Sequence, residues 1–364
     1  MNLWRVAFKA LALFVLLNLA FAGLGGESLG RLTLYNWLLP GRERFPFGED
    51  AARDFNLSLY NLDAMFAAHV VSARPSINEL RVFIVGDSSV WGTLLRPAET
   101  LAGQLNAAGL RCGQRPLRFY NLGYPTLSLA KDLMILDQAM RYQPDLVIWL
   151  VTLEAFPLHR QLESPITANN RDRMQALEAK LNLDLGAAHL PQPSFFERTI
   201  VGQRRALADL VRLQLSGVLW AATGIDQYYP DSFQPARRDL AADESFAGFT
   251  PSTGLSPAEL GFELLSAGQR LLGKTPLLLV NEPVLISRGE NSHIRYNFYY
   301  PRWAFDAYRQ MLQAYTTDEG IAYLDVWNLV DEAQFTNSAI HLNPSGVQQL
   351  QHALAPHITA PLCP

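Results

Sequence analysis

Cysteine is nearly missing from this 364-residue chain, which has only Cys112 and Cys363. That rules against a disulfide-dense scaffold, and neither residue stands in a metal-ligand spacing. The seven histidines include no H-x-x-x-H pair, so neither a metal site nor a cofactor is expected. A charge excess is missing too. The 30 basic and 34 acidic residues give a net charge of −4, with no Lys/Arg block and no basic-aromatic stripe. Nucleic acid is therefore not an expected partner. No G-x-G-x-x-G follows the first predicted strand, which argues against a dinucleotide-binding domain. The G-x-S-x-G elbow of the common α/β-hydrolases is absent as well. There is no internal repeat and no low-complexity tract.

What the chain has is apolar residues: 49% of the sequence against 18% charged, the balance of a globular protein with an apolar extra segment. That segment is N-terminal. Arg5 and Lys9 precede Ala10 to Gly25, a run with no charge and one amide, Asn18. Counted from Leu3, a helix here reaches about 34 Å and spans a bilayer, with Arg5 and Lys9 reaching back to the headgroups. The positive flank sends the rest of the chain out of the cytoplasm. Two outcomes stand: residues 1–25 as an uncleaved signal anchor, or as a signal peptide cut near Ala20-Phe21-Ala22, leaving a secreted protein.

Residues 26–75 read as a juxtamembrane extension with a helical candidate at Leu62–Val71. From residue 76 to 364, five apolar runs read as strands: Leu80–Val85, Leu117–Asn121, Asp145–Val151, Pro276–Val280 and Ile321–Trp327. Helical patterns separate or follow them at Ala98–Ala108, Leu127–Arg141, Pro257–Leu272, Pro301–Tyr315 and Pro344–Ala355. Alternation of this kind predicts an α/β fold, a parallel sheet with helices on both faces. The interval 153–275 is too long for one crossover and is read as a helical cap insertion over the catalytic edge. It carries helical candidates at Asn170–Leu183 and Glu197–Ala222. The second has an apolar face of Ile200, Leu207, Leu210, Val211, Leu215, Val218 and Leu219. Packing on the body is the expected use of that face, with a membrane-lying helix as the alternative.

The first strand ends in GDSSVWG, so Ser88 stands at the carboxyl edge of the sheet, where open α/β folds place their chemistry. A serine nucleophile needs a base, a group to orient the base, and donors for the oxyanion. His341, in NSAIHLNPSG between the fifth strand and last helix, falls at the same edge. Gly123, in NLGYP after the second strand, offers a bare backbone N–H, although a tight turn alone would also place glycine there.

These three blocks, in this order, resemble the SGNH (GDSL-type) hydrolase superfamily over about residues 80–152 and 276–357. The resemblance implies a flavodoxin-like three-layer α/β/α body with a five-stranded parallel sheet. It implies Ser88 as nucleophile, His341 as base, and the N–H groups of Ser88 and Gly123 as oxyanion donors. Two positions depart from the pattern. Glu154 stands where the family has an oxyanion-binding Asn, and an ionised carboxylate there must be protonated or turned away. Ser338 stands where the family has its acid, three residues before the histidine. This leaves Ser338, neighbouring Asn337, a backbone carbonyl or a distant acid such as Asp331 to orient His341.

Asp87, Asn281 and Glu282 complete the supporting candidates. The last two precede Pro283 and are expected in a loop over the site. The following RGENSHIRYNFYYPRW reads either as a polar, aromatic-lined groove with Arg295 and Arg302 at a substrate rim, or as a packed loop. In the implied fold Cys112 and Cys363 fall at the edge opposite Ser88, behind two helices sharing one face. A disulfide between them is expected. The resemblance implies a serine-dependent ester hydrolase or O-acyltransferase, and for an anchored member outside the cytoplasm it implies an acylated glycan as substrate. The alternative is a catalytically degenerate protein that binds glycan or a membrane acyltransferase.

Overall fold

Uninterrupted apolar runs are suited to strands covered on both faces, and this chain uses them so. The computed structural model describes residues 2–24, 31–38, 42–46, 60–73, 76, 78–225, 227 and 229–363. Much of the extension read over 26–75 lies outside the described residues. The strands are β1 (Leu80–Gly86), β2 (Arg111–Cys112), β3 (Arg115–Gly123), β4 (Leu146–Val151), β5 (Leu277–Asn281) and β6 (Ala322–Asp325). Their order is β2-β3-β1-β4-β5-β6. All neighbours are parallel except β2 and β3. The five parallel strands are those read from the sequence. β2 is an addition: Cys112 faces Arg115 across a two-residue turn, and Gly113 at φ +57° supplies the positive φ that the turn requires.

The helices are α1 (Leu3–Leu24), α2 (Leu34–Leu38), α3 (Leu62–Ala68), α4 (Ser88–Trp91), α5 (Leu101–Ala107) and α6 (Leu129–Ala139). There follow α7 (Pro165–Asn169), α8 (Arg171–Leu181), α9 (Arg204–Thr223), α10 (Glu263–Leu272), α11 (Arg302–Asp318) and α12 (Pro344–Leu362). Alternate strand residues feed two cores. Val82, Ile84, Ile148, Leu150 and Val280 pack against α5 and α12 through Leu105, Val347, Leu350 and Leu354. Phe83, Val85, Val147, Trp149 and Leu279 pack against α6, α10 and α11 through Leu133, Leu265, Phe305 and Tyr308. The result is three layers. Because α5 and α12 share a face, the residues behind them meet: Cys112 and Cys363 form a disulfide with their Cα atoms 5.4 Å apart, inside the usual range.

Several boundaries move for physical reasons. The helix read over Leu62–Val71 stops at Ala68 because His69 leaves at ψ 149°. The one read from Pro257 opens as a 3₁₀ turn and becomes α-helical only at Glu263. α12 runs past Ala355 to Leu362, through Pro356 on its exposed side. The apolar face read over 197–222 is divided: Leu210 is buried with Ala206 and Leu213, while Val211, Leu215, Val218 and Leu219 are exposed. The 227–245 stretch touches the loops at the carboxyl edge of the sheet. Ala236 N–H donates to Thr336 O at 2.8 Å, Gln227 Nε2 to Leu95 O at 2.9 Å, and Ser287 Oγ to Arg238 O.

Candidate active site

Gly86 lets β1 turn directly into α4, since a Cβ there would lie 2.6 Å from Val90 Cγ2. Asp87 then caps α4, its carboxylate accepting from Ser89 N–H at 2.7 Å. Ser88 becomes the first helical residue, half-buried, with a backbone N–H that has no intrahelical acceptor.

His341 is delivered by a loop fixed at both ends. Thr336 N–H donates to His341 O at 2.9 Å, and Leu285 N–H to Ala339 O at 2.7 Å. Asn343 caps α12, accepting from Gly346 N–H at 2.9 Å. Across 253 residues of sequence, Ser88 Oγ and His341 Nε2 come to 2.7 Å. His341 Nδ1 lies 2.8 Å from Asn337 Oδ1. Thr336 Oγ1 lies 3.3 Å from that same amide oxygen and 3.2 Å from His341 O, to which it also donates, tying the Asn337 side chain to the loop. Nδ1–H therefore donates to Asn337, and the Nε2 lone pair is left to accept from the serine hydroxyl. This is the tautomer a general base requires. Ser338, three residues before His341, is buried, and neither it nor Asp331 is a partner of the imidazole, which bonds Asn337 and Ser88.

Because Asn337 carries no charge, nothing offsets the desolvation of the ring, and burial pulls the His341 pKa down to about 4. An edge of the ring remains exposed, and solvent there limits the fall. The imidazole is neutral at pH 7 and only weakly basic.

Behind Ser88 lies a buried ionisable cluster. Glu282 accepts a short hydrogen bond from Ser89 Oγ and faces Asp87. Burial, and then the Asp87 charge, raise the Glu282 pKa well above the usual carboxylate range, and Asp87 is also raised by burial. Two adjacent buried carboxyls cannot both ionise cheaply, so Glu282 is the neutral member. Lys131, fully buried on α6, closes the cluster. Its Nζ donates to Gly86 O at 2.8 Å and to Tyr124 O at 3.3 Å, and pairs with Asp132 Oδ1 at 2.5 Å.

No protein-family model and no curated protein matches this sequence. Among solved structures, similar chains include Est24, a carbohydrate acetylesterase from Sinorhizobium meliloti. It is 15% identical with a TM-score of 0.34, over 78% of this chain and 99% of that one. The inhibitor-bound aryl esterase of M. smegmatis is 13% identical with a TM-score of 0.35, over 77% and 99%. A family two carbohydrate esterase from Clostridium thermocellum is 7% identical with a TM-score of 0.34, over 79% and 65%. Superpositions this loose carry no weight for activity, which must be read from this chain's own side chains.

Several residues read from the sequence as site candidates are otherwise engaged. Gly123 N–H donates to Asn121 Oδ1 at 3.0 Å, so it is committed within its own turn. Its glycine is required by packing, since a Cβ would meet Trp91 N at 2.4 Å. Glu154 pairs with Arg160, which holds its carboxylate to one side; burial nonetheless raises its pKa. Asn281 is not over the site: it is buried at the end of β5, donating to Asp325 Oδ1 at 2.9 Å and accepting from Tyr308 at 3.2 Å. Glu282 is not in a surface loop either. Its N–H still donates to Val151 O at 3.1 Å, so chain pairing runs one residue past β5 before Pro283.

Neither arginine forms a substrate rim. Arg295 is buried and donates to the carbonyls of Asn297, Phe298 and Tyr299. Arg302 donates to Ser292 O at 2.6 Å and lies over the Tyr296 ring at 4.2 Å. The 288–303 stretch is a packed loop, with Tyr296 and Tyr300 buried. Tyr299 is the exception. Its pKa is raised by burial, and the neighbouring Asp87 and Glu154 carboxylates add to that, so it belongs to the site's surroundings. Sequence reasoning passed over Tyr299, Lys131 and Asn121. For Tyr299 the one available signal was its place in an aromatic-rich loop after β5. Among the described residues no group of His, Cys, Asp and Glu forms a metal site.

Proposed function

We propose that this chain is an SGNH-type serine hydrolase that forms an acyl-enzyme at Ser88. The observation that carries the reading is the hydrogen-bonded relay Ser88–His341–Asn337, with the imidazole in the tautomer that accepts the serine proton. Ser88 Oγ attacks the ester carbonyl as its proton passes to His341 Nε2. Ser88 N–H stabilises the oxyanion, and the alkoxide leaves with the proton from Nε2. A water or an acceptor hydroxyl then reverses the sequence on the acyl-serine. The acceptor hydroxyl would make the chain an O-acyltransferase. An acylated glycan outside the cytoplasm is the substrate we assign, on the Tyr299 hydroxyl beside the relay and on α1 as an N-terminal anchor. The 153–275 insertion acts as a cap, supported by the contacts of Gln227, Ala236 and Arg238.

A fluorophosphonate probe tests the nucleophile. A probe adduct whose mass maps to the peptide containing Ser88 is the expected result on the folded protein. A folded protein with no adduct favours the second reading, a binding protein for glycan or for a membrane acyltransferase. That reading has its own support in the uncharged Asn337 and the occupied Gly123 N–H.

Restoring the charge is expected to strengthen the base. In Asn337→Asp the carboxylate favours the protonated imidazole and raises the His341 pKa above about 4. Since the base works only when neutral, the acid limb of kcat/KM then moves to higher pH. On its plateau kcat/KM should rise about 10- to 100-fold, because a more basic imidazole drives proton transfer and its conjugate acid is stabilised. A pH–rate profile of both proteins decides it. An unchanged limb and plateau would show that His341 is not the base.

A further inference from the structure

The α9 helix is apolar on two opposite sides. At about 100° per residue, Ala206, Leu210 and Leu213 lie on the side that is buried. On the other side Val211, Leu215, Val218 and Leu219 are 63%, 72%, 36% and 66% exposed, within an arc of about 100°. A soluble helix ordinarily turns charge toward water on that side. Here Arg205 and Arg212 lie along one border of that arc, and Arg204 lies within it at the first turn. The single acid on the helix, Asp209, is held in an i,i+3 pair with Arg212 at 3.2 Å. Just ahead of α9, Phe195 and Phe196 are 50% and 60% exposed, with Arg198 over the Phe195 ring at 5.7 Å.

One contact ties the start of this surface to α1 and a second ties α9 to α2. Val201 N–H donates to Asn18 Oδ1 at 3.2 Å, which also explains the one amide in the apolar helix. Leu34 N–H, at the start of α2, donates to Gln214 Oε1 at 2.8 Å. Asn18 is six residues before the end of α1, about 9 Å along the axis. If α1 spans the bilayer, that depth is in the acyl region of the outer leaflet, at the lower reach of an interfacial helix's apolar face. The segment carrying Phe195, Phe196 and the start of α9 is then held at that level.

We propose that the exposed side of α9, with Phe195 and Phe196, lies in the outer headgroup layer of the bilayer that α1 crosses. The lipid is anionic, paired with the arginine flank. This rests on reading α1 as an uncleaved anchor. The chemistry is that of an interfacial helix: apolar side chains in the acyl boundary and guanidinium groups at lipid phosphates. A protein partner would also cover apolar surface, but the bonds to α1 and α2 put this face next to lipid without any further chain. Anchored by one helix alone, the body has no second contact to set its tilt. A second contact through α9 fixes its tilt, and with it the direction in which the Ser88 edge opens.

The test uses the full chain with its disulfide intact, nitroxide-labelled at one added cysteine. The chain is reconstituted in phosphatidylcholine vesicles containing phosphatidylglycerol. Labels go at Leu215→Cys and Val211→Cys on α9, at Leu13→Cys in the middle of α1, and at Asp318→Cys on the exposed end of α11. Accessibility to oxygen and to a water-soluble nickel chelate is measured at each. A ratio of oxygen to nickel accessibility several-fold higher at 215 and 211 than at 318 supports the proposal. Equality of 215, 211 and 318, with 13 in lipid, overturns it and leaves the anchor standing. Labels at 215 and 211 shielded from both reagents would mean that protein covers the face, which also overturns it. A label at 13 outside the lipid removes the anchor, and the proposal with it.

Discussion

Ser88→Ala, His341→Ala and the double variant are expected to lose the same activity, on the order of 10⁴- to 10⁶-fold in kcat/KM against an activated ester. The equality is the informative part. The serine hydroxyl becomes a useful nucleophile only as its proton moves to Nε2, 2.7 Å away, so neither residue does its share alone. Once one is removed, the other has nothing to act on. Losses that simply add would mean that the two groups serve separate steps. Loss at Ser88 with none at His341 would assign the proton to another acceptor. The residual rate in the double variant reports binding and the Ser88 N–H alone, because the backbone donor survives both substitutions.

Lys131→Met is expected to destabilise the protein by about 3–5 kcal/mol at pH 7, as removal of one partner of a buried ion pair does. The ammonium is fully buried and holds Asp132 and the carbonyls of Gly86 and Tyr124. Without it the Asp132 carboxyl, which burial already pushes up to about 6, loses its cation and its pKa climbs further. The sign of the pH dependence follows. A carboxyl whose folded pKa is raised costs stability as pH rises from its unfolded value, near 4, through the folded one. The deficit should therefore shrink between pH 7 and pH 5 in urea unfolding. Adding Asp132→Asn keeps an acceptor for the Trp149 indole, which now donates to Asp132 at 3.0 Å. This second change should recover much of the loss. A deficit that is independent of pH and unrelieved by Asp132→Asn would mean that Lys131 acts only by filling space.

The reach of the sequence is clear from individual residues. Val82 to Val85 announce a buried strand because both faces of that strand need apolar residues. The same holds for Leu146 to Val151, and the carboxyl-edge placement of Ser88 and His341 follows from those strands. β2 was illegible because two residues make no periodic signal. Asn337 is four residues before the histidine, and no spacing rule distinguishes it from Ser338; only the loop's conformation does. Pro283 predicts a loop for both Asn281 and Glu282, whereas Asn281 still pairs with Val151. Proline removes only its own N–H, so Glu282 still donates to Val151 and turns its side chain inward. Arg295 and Arg302 were candidates for a substrate rim. Turn carbonyls satisfy a guanidinium equally well, and sequence alone does not reveal which it meets. Lys131 gave no signal, because a lysine beside an aspartate in a helix has the composition of any solvated face, and only the fold shows its Nζ at Gly86 O.

The disulfide has a consequence for how the molecule endures damage. Cys112 and Cys363 enclose 251 positions of separation, a ring holding the insertion, the Asn337–His341 loop and most of the sheet. A single cut by a protease anywhere on that ring opens a loop without releasing a fragment. The two pieces stay one covalent body, and strands on either side of the nick remain neighbours at high effective concentration. A cut in an exposed part of the 153–275 stretch, such as 191–198, need not separate Ser88, outside the ring, from His341, inside it.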